Sequence, residues 1–180
     1  MNSSSKGLIK HINSKARLRL GTGLSGAMTA LLLLVPGSAL AADECGPAGV
    51  TIVCPKSGTP YSTGITYTLP TGGPVADLTV ALDPAVAIDT SGTDHNGITL
   101  INGSGGAISV SGPDSTIRTN GDRATGVFAL SNAEHAQGDI SIHVGDVSTG
   151  GYRSDGIFAS TNYGGNNGNI DITAGHVEVA

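Results

Sequence analysis

Short runs in which apolar and polar residues alternate make up the chain after residue 41. Residues 117–146 contain three such runs, IRT at 117–119, GVFA at 126–129 and DISIH at 139–143, with Gly, Asn, Asp and Ser between them. Alternation with a period of two is typical of half-buried strands, and the turn-forming residues mark corners between strands. No stretch of ten or more residues has helical periodicity, so the pattern predicts an all-β protein.

These runs belong to a repeat with a period of 30 residues. Residues 117–146 and 147–176 share 11 identities in 30 positions without any gap. The coinciding pairs include Thr119/Thr149, Arg123/Arg153, Gly126/Gly156, Phe128/Phe158 and Asn132/Asn162. A more diverged copy begins at Ile88, and a further one begins at Val177. Three strands per unit at a fixed period predict a right-handed parallel β-helix, in which each strand pairs with its equivalent about 4.8 Å along the axis.

Comparison of the coils predicts which side chains face the core. Aliphatic residues and threonines recur at equivalent positions, and we expect each set to form an inward column. The columns are Ile88, Ile117, Val147 and Val177; Thr90, Thr119, Thr149 and Val179; Ile98, Val127 and Ile157; Ile108, Ile140 and Ile170; and Val110, Ile142 and Ile172. Alternation along each strand then places Thr99, Phe128 and Phe158 on the outer face, and likewise Ser109, Ser141 and Asp171.

Residues 1–41 have the features of an export signal. Five lysines and arginines precede an apolar run centred on Ala27–Val35, and Ala39-Leu40-Ala41 follows. This order predicts a signal peptide that is cleaved between Ala41 and Ala42. The alternative is a retained N-terminal anchor, although the apolar run is short for a membrane span.

The remaining chain divides into a cap and a series of coils. Residues 42–83 contain five prolines and irregular short strands, which predict an N-terminal cap over the first open strand edge. Residues 84–180 contain the repeats. The last segment, HVEVA at 176–180, begins a coil and stops, so we expect the chain to be truncated at its C-terminus, a fragment of a longer product.

Charge and cysteine content narrow the choice of environment and partners. Without residues 1–41, four cations stand against 14 carboxylates, a net charge of −10. Such a surface repels phosphate backbones, so no nucleic-acid partner is predicted. In an exported chain, the only two cysteines, Cys45 and Cys54, are expected to form a disulfide. A metal site is the alternative, but no nearby His or Cys supplies the two further ligands that it would need.

Several segments in order resemble the passenger domain of bacterial autotransporters (type V secretion). They are AADECGPAGVTIVC, GITYTLP, DLTVAL, and repeats of the kind TNGDRATGVFALSN followed by GDISI, and together they cover roughly Ala42–Ala180. The resemblance implies export through the outer membrane of a Gram-negative bacterium by a C-terminal β-barrel translocator, which is expected downstream. The passenger would then be displayed at the cell surface or released outside the cell.

Two pairs of repeated residues are candidates for surface contact. Phe128 and Phe158 are expected to stack outside the coils, where they could bind a sugar ring or another apolar surface. Alternatively, the loop at 130–138 folds over them. Arg123 and Arg153 are expected to form a column beside Asp122 and Asp155. The two arginines could bind the carboxylates of sugar acids, or they balance charge along a solvated corner.

The other repeated asparagines and glycines are expected to have structural roles, and the sequence predicts neither a metal site nor another cofactor. Asn132 and Asn162 are expected to form an amide ladder at a turn, and Gly126 and Gly156 to permit a corner conformation that other residues cannot adopt. The four histidines of the coils, at 95, 135, 143 and 176, do not share a repeat position, so no metal column is predicted. The segment GGNNGNIDI lacks the spacing of calcium-binding glycine-aspartate repeats.

The function expected from these features is adhesin-like contact with a host or cell-surface glycan or protein. No enzymatic activity is predicted, because the acidic residues occupy different columns. Asp139 aligns with Asn169, Asp122 with Tyr152 and Asp155 with Thr125. Two alternatives stay open: a β-helical polysaccharide lyase or hydrolase whose active site lies outside this segment, and a purely structural stalk.

Overall fold

The chain folds into strands joined by short turns. The structure, a computed structural model, describes residues 45–46, 51–133, 138–161 and 168–180, all within one compact unit, Pro36–Ala180. A single 3₁₀ turn, Lys56–Gly58, accompanies the strands in these ranges. The strands are β1 Thr51–Cys54, β2 Ile65–Leu69, β3 Leu78–Leu82, β4 Ala87–Ser91, β5 Ile98–Asn102, β6 Ile108–Asn120, β7 Val127–Ser131, β8 Ile140–Gly150, β9 Ile157–Ser160 and β10 Ile170–Val179.

All the strand pairs are parallel, and each strand lies beside its equivalent from the next repeat. One sheet has the order β1-β3-β6-β8-β10, with β4 also paired to β6, and the other has the order β2-β5-β7-β9. Ile108 is opposite Ile140, which in turn is opposite Ile170. The predicted parallel β-helix with coils of about 30 residues is therefore confirmed, with about 4 turns.

Each coil has three faces around its core, and the longer strands pass from one face to the next. Face 1 consists of β1, β3 and the first parts of β6, β8 and β10, and face 2 of β4 and the second parts of those three strands. Face 3 is the sheet of β2, β5, β7 and β9. In β8 the consecutive residues Val144 and Gly145 are both buried, which breaks the alternation and marks the bend. A side chain at Gly145 would meet the backbone of Ser115, so the bend has room only for glycine.

The register aligns every column that the repeat predicts, and the members as far as β8 are buried, whereas those on β10, namely Ile170, Ile172, Val177 and Val179, are 44–56% exposed. Ile88, Ile117 and Val147 are neighbours on successive coils and are almost completely buried. Residues of the earlier coils extend the other columns, since Ile65 joins Ile98 and Leu78 joins Ile108. Two of the three core threonines in one column donate to the corner that follows them, whereas the buried hydroxyl of Thr149 has no hydrogen-bond partner within the described residues. The hydroxyl of Thr90 donates to the carbonyl oxygen of His95 at 2.9 Å, and that of Thr119 to Ala124 at 3.3 Å.

Aspartates at the corners connect one coil to the next. In three cases a carboxylate oxygen accepts a hydrogen bond from the backbone N–H of the residue 30 positions later. The pairs are Asp77 with Ala107 at 2.8 Å, Asp122 with Tyr152 at 2.9 Å and Asp139 with Asn169 at 2.7 Å. Each of these hydrogen bonds needs a carboxylate only on the earlier coil, because the later coil contributes a backbone N–H. This explains why the aspartates at these three positions are not repeated in the next coil.

The segment at 42–83, in which the sequence predicts a cap, contributes strands to the same two sheets. β1 pairs with β3 from Thr51↔Thr79 to Cys54↔Leu82, and β2 pairs with β5 over its whole length. These strands thus form a first coil in register with the repeats. Residues 1–41, and with them the predicted cleavage point between Ala41 and Ala42, lie outside the described residues.

Candidate functional site

A disulfide joins Cys45 to Cys54 at the start of the first coil, as the sequence predicts. Their Cα atoms are 4.4 Å apart, and Cys54 at the end of β1 is completely buried. The hydroxyl of Tyr67, a core residue of β2, donates a hydrogen bond to the carbonyl oxygen of Gly46 at 2.8 Å. The disulfide and this hydrogen bond together hold residues 45–46 against the first coil.

Phe128 and Phe158 stack on the outer side of face 3. They are direct neighbours in β7 and β9, with ring centroids 5.0 Å apart and ring planes within 8° of parallel. The side chain preceding the first ring, Val127, is completely buried, whereas Phe158 is 39% exposed. The outward orientation predicted from alternation is therefore confirmed. The role of the two rings in contact stays a prediction.

The stacking determines which parts of the rings a partner can reach. Because the two rings are nearly parallel and lie one coil apart, one face of each is covered by the other. The stacked pair therefore offers a partner less free ring face than two separate rings would. Because sugars pack on ring faces, this arrangement favours apolar side chains as contacts.

A second apolar column, which sequence comparison did not identify, runs beside the phenylalanines. Ile101 in β5 and Leu130 in β7 are neighbours on successive coils and lie two residues beyond Thr99 and Phe128. Both are half-buried on the outer side of the strand. We call Ile101, Phe128, Leu130 and Phe158 the aromatic patch. In the sequence, each residue of this column stands two positions after an outward residue. Leu130 aligns with Ser160, however, so comparison of the repeats did not reveal the column.

Arg123 and Arg153 occupy the corner between face 2 and face 3. Both adopt left-handed backbone conformations, with φ of 58° and 60°. Arg123 forms a two-pronged salt bridge with Asp94 on the preceding coil, through Nε at 2.7 Å and Nη2 at 2.6 Å. The sequence predicted a column of the arginines beside Asp122 and Asp155, and the charge of Asp122 does act on Arg123. The ion-pair partner Asp94 was missed because it stands where the later repeats have arginine.

The salt bridge changes the acidity of both groups. The hydrogen bonds from Arg123, and then its charge, hold the pKa of Asp94 below its ordinary value. The same hydrogen bonds, followed by the charges of Asp94 and Asp122, raise the pKa of Arg123. Both side chains are more than half exposed, so this pair lies in solvent at the corner.

Arg153 lies one coil further along and has different surroundings. Its guanidinium carbon is 5.8 Å from the ring centroid of Tyr152, a distance at which a cation interacts with an aromatic face. Tyr152 is the most exposed aromatic residue of the described chain, at 73%. The two arginines therefore occupy equivalent positions but do not form equivalent sites.

The predicted amide ladder of Asn132 and Asn162 is not tested, and the predicted corner conformation of Gly126 and Gly156 is wrong. Asn162 lies outside the described residues, and the backbone N–H of Asn132 donates to Asn102 at 3.1 Å. Asn102 itself is buried, and its side-chain amide donates to three carbonyl oxygens. Gly126 and Gly156 do not have positive φ, contrary to the expected corner conformation. At Gly126 the requirement is space, because a side chain would meet Gly156 of the next coil.

Within the described residues, no group of three or more His, Cys, Asp and Glu side chains is arranged to hold a metal ion. The described part also contains no helix that is both long and apolar enough to cross a membrane. No protein family, curated protein or solved structure matches the chain. Inferences about function therefore depend on the geometry of the site.

Proposed function

We propose that this chain belongs to a surface-displayed passenger of the autotransporter type and that its coils make adhesin-like contact with a cell surface through the aromatic patch. The observation that carries this proposal is the outward stack of Phe128 and Phe158, extended by Leu130 and Ile101. Contiguous apolar side chains on the outside of a rigid sheet are typical of interaction sites.

Two further features support the proposal. The Cys45–Cys54 disulfide is consistent with an oxidising environment outside the cytoplasm. Three of the four patch residues also lie on strands that are hydrogen-bonded on both sides, since β5 and β7 are interior strands of face 3, and Phe158 lies on β9, which pairs with β7. A partner that binds there orders few side chains and no backbone, which lowers the entropic cost of association.

The choice of partner follows from the stacking of the two rings. The stacked pair, with Leu130 and Ile101 beside it, presents a contiguous aliphatic and aromatic surface. Such a surface complements apolar side chains of a protein on another cell, and phenylalanines at its centre are expected to contribute most of the binding energy.

The test replaces both phenylalanines by threonine, the residue that occupies the same column in the first two coils as Thr66 and Thr99. We expect the Phe128→Thr, Phe158→Thr variant to be displayed normally and to lose at least about tenfold in attachment to host cells. Attachment is measured by counting bound bacteria, and display by surface labelling of the passenger.

The matched control changes two outward residues of face 1, with Ser109→Thr and Ser141→Thr, and is expected to attach as the wild type does. Unchanged attachment of the phenylalanine variant at equal display would eliminate the aromatic patch as the contact site. A lower melting temperature with normal attachment would favour the alternative in which a loop of the chain covers the rings.

A further inference from the structure

A trough runs along the strands on the outer side of face 2, away from the aromatic patch. Its floor is formed by Ser148 and Gly150, the small outward residues of β8 on this face. Larger side chains of the neighbouring coils, Arg118 and Asn120 on one side and Glu178 on the other, form its walls. The volume of this part is about 330 Å³, at the lower end of the range for ligand sites.

The trough continues along β8 towards the bend. A second hollow of about 220 Å³ shares Arg118, Ser148 and Glu178 with the first. It is bordered in addition by Asp146 and His176, which are direct neighbours on successive coils. The two hollows together form an elongated depression parallel to the strands, which is the shape required for an extended chain-like ligand.

Packing does not explain the glycine in the floor. A side-chain carbon at Gly150 would have its nearest neighbour, Asn120 Oδ1, at 3.6 Å, an ordinary contact distance. The glycines of the adjacent column have no such room, because a side chain at Gly121 would meet the backbone of Gly92 and one at Gly151 would meet the backbone of Gly121. Gly150 is thus dispensable for the coil, and its visible consequence is an open trough.

The charges of the walls decide what kind of ligand is complementary. One guanidinium, Arg118, faces the carboxylate-bearing wall of Glu178, and Asp89 and Asp146 add two more carboxylates. Backbones of the two walls are two strand spacings apart, about 9.6 Å. With one cation against three anions, the trough repels polyanions, and its outward side chains are polar, which disfavours an apolar peptide.

We propose that this trough binds a neutral saccharide chain. Each sugar hydroxyl both donates and accepts hydrogen bonds, so it can pair with the donor groups of Arg118 and Asn120 on one wall and with the acceptor Glu178 on the other. The surrounding carboxylates do not repel a neutral chain. The floor at Ser148 and Gly150 lets the sugar rings approach the sheet.

The experiment fills the trough without changing its charges. Ser148→Tyr and Gly150→Thr each place bulk on the floor at positions whose outward direction or free space the fold tolerates. Ser141→Tyr, an outward serine of the same strand on face 1, is the matched control. Folding of all variants is checked by circular dichroism and thermal melting.

The probes are neutral linear hexasaccharides of hexose and of N-acetylhexosamine, with a hexauronate and pentalysine for comparison, and binding is measured as a dissociation constant. We expect at least one neutral hexasaccharide to bind the wild type and the Ser141→Tyr variant equally, and both trough variants at least about tenfold more weakly. The hexauronate is expected to bind more weakly than its neutral counterpart.

Three outcomes would overturn the proposal: no neutral hexasaccharide binds, the folded trough variants bind as the wild type does, or pentalysine alone binds. The last outcome would assign the trough to a basic peptide. Since the trough and the aromatic patch lie on different faces, the Phe128→Thr, Phe158→Thr variant should retain saccharide binding, so each proposal can fail without the other.

Discussion

At the scale of single residues, the corner between face 2 and face 3 depends on an uncommon backbone conformation. Asp94, Arg123 and Arg153 occupy the same position in successive coils and have φ between 58° and 64°. Left-handed conformations are unfavourable for residues with a side chain, and aspartate tolerates them better than arginine does. The salt bridge between Asp94 and Arg123 offsets part of this cost where two such residues are adjacent.

The salt bridge predicts a specific dependence of stability on pH. Because Arg123 lowers the folded-state pKa of Asp94 below 3.8, the stabilisation is present above that value and is lost as the pH falls through the lowered folded pKa. We expect the wild type to melt slightly above the Asp94→Asn variant at neutral pH, and the difference to vanish below the folded pKa. The difference is small because the pair is exposed to solvent.

Melting temperatures of both proteins between pH 7 and pH 2 measure this effect. Asp171→Asn, which changes an outward aspartate of β10, serves as the control for a general change in charge. A difference between wild type and Asp94→Asn that is the same at every pH would contradict the prediction.

The sequence predicts single residues well where two copies of the repeat agree and poorly where they differ. The outward phenylalanines and the core valines and isoleucines followed directly from aligned positions. Asp94, Leu130 and the trough were not predicted, because each depends on a residue that differs from its equivalent in the neighbouring coil. Contacts between unlike residues at one repeat position depend on the register of the strands in the folded chain. Alignment of the repeats identifies the residues that they share and does not identify such contacts.

At the scale of elements, close packing between coils limits which glycines can be replaced. A side chain at Gly126 would meet the carbonyl oxygen of Gly156 and the side chain of Val147. We expect Gly126→Ala to lower the free energy of unfolding by about 1–3 kcal/mol, since a carbonyl oxygen of a hydrogen-bonded strand cannot move aside easily. Gly150→Ala, with its nearest neighbour at 3.6 Å, should stay within about 0.5 kcal/mol of the wild type.

Denaturant unfolding of the two alanine variants under the same conditions measures this contrast. Equal loss of stability in both would mean that the coils tolerate or reject a methyl group irrespective of the distances described, and that close approach is not what requires Gly126.

The sequence predicts three strand runs per coil correctly but places their limits less well. Runs such as IRT at 117–119 and DISIH at 139–143 were expected as separate strands, whereas β8 passes from face 1 to face 2 as Ile140–Gly150 without interruption. The turn residue Gly145 bends the strand and its hydrogen bonds continue on both sides. Turn-forming residues therefore indicate the corner but not whether pairing stops there.

At the scale of the whole coil array, the first coil is held by a covalent bond as well as by packing. We expect the Cys45→Ser, Cys54→Ser variant to lose about 2 kcal/mol of stability, because an open chain has more freedom when unfolded. Repeat arrays do not always unfold in one step, so the change should appear mainly in the transition that involves the first coil.

Thermal melting with and without a reductant measures this loss, and the mass of the alkylated protein counts free thiols. Reduction should lower the stability of the wild type to that of the serine variant and leave the variant unchanged. Two free thiols in the purified wild-type protein would contradict the disulfide.

Because the coils stack in parallel and in register, the axial length of the coil array is set by the number of repeats. Each repeat adds one strand spacing, about 4.8 Å, to every face at once. A gain or loss of one whole repeat, such as residues 117–146, therefore shifts whatever lies beyond it by one step without turning any side chain to the other surface. Unequal recombination between the repeat copies of such a gene would change the length of the coil array in steps of one coil. The outward side chains of each retained coil would stay the same.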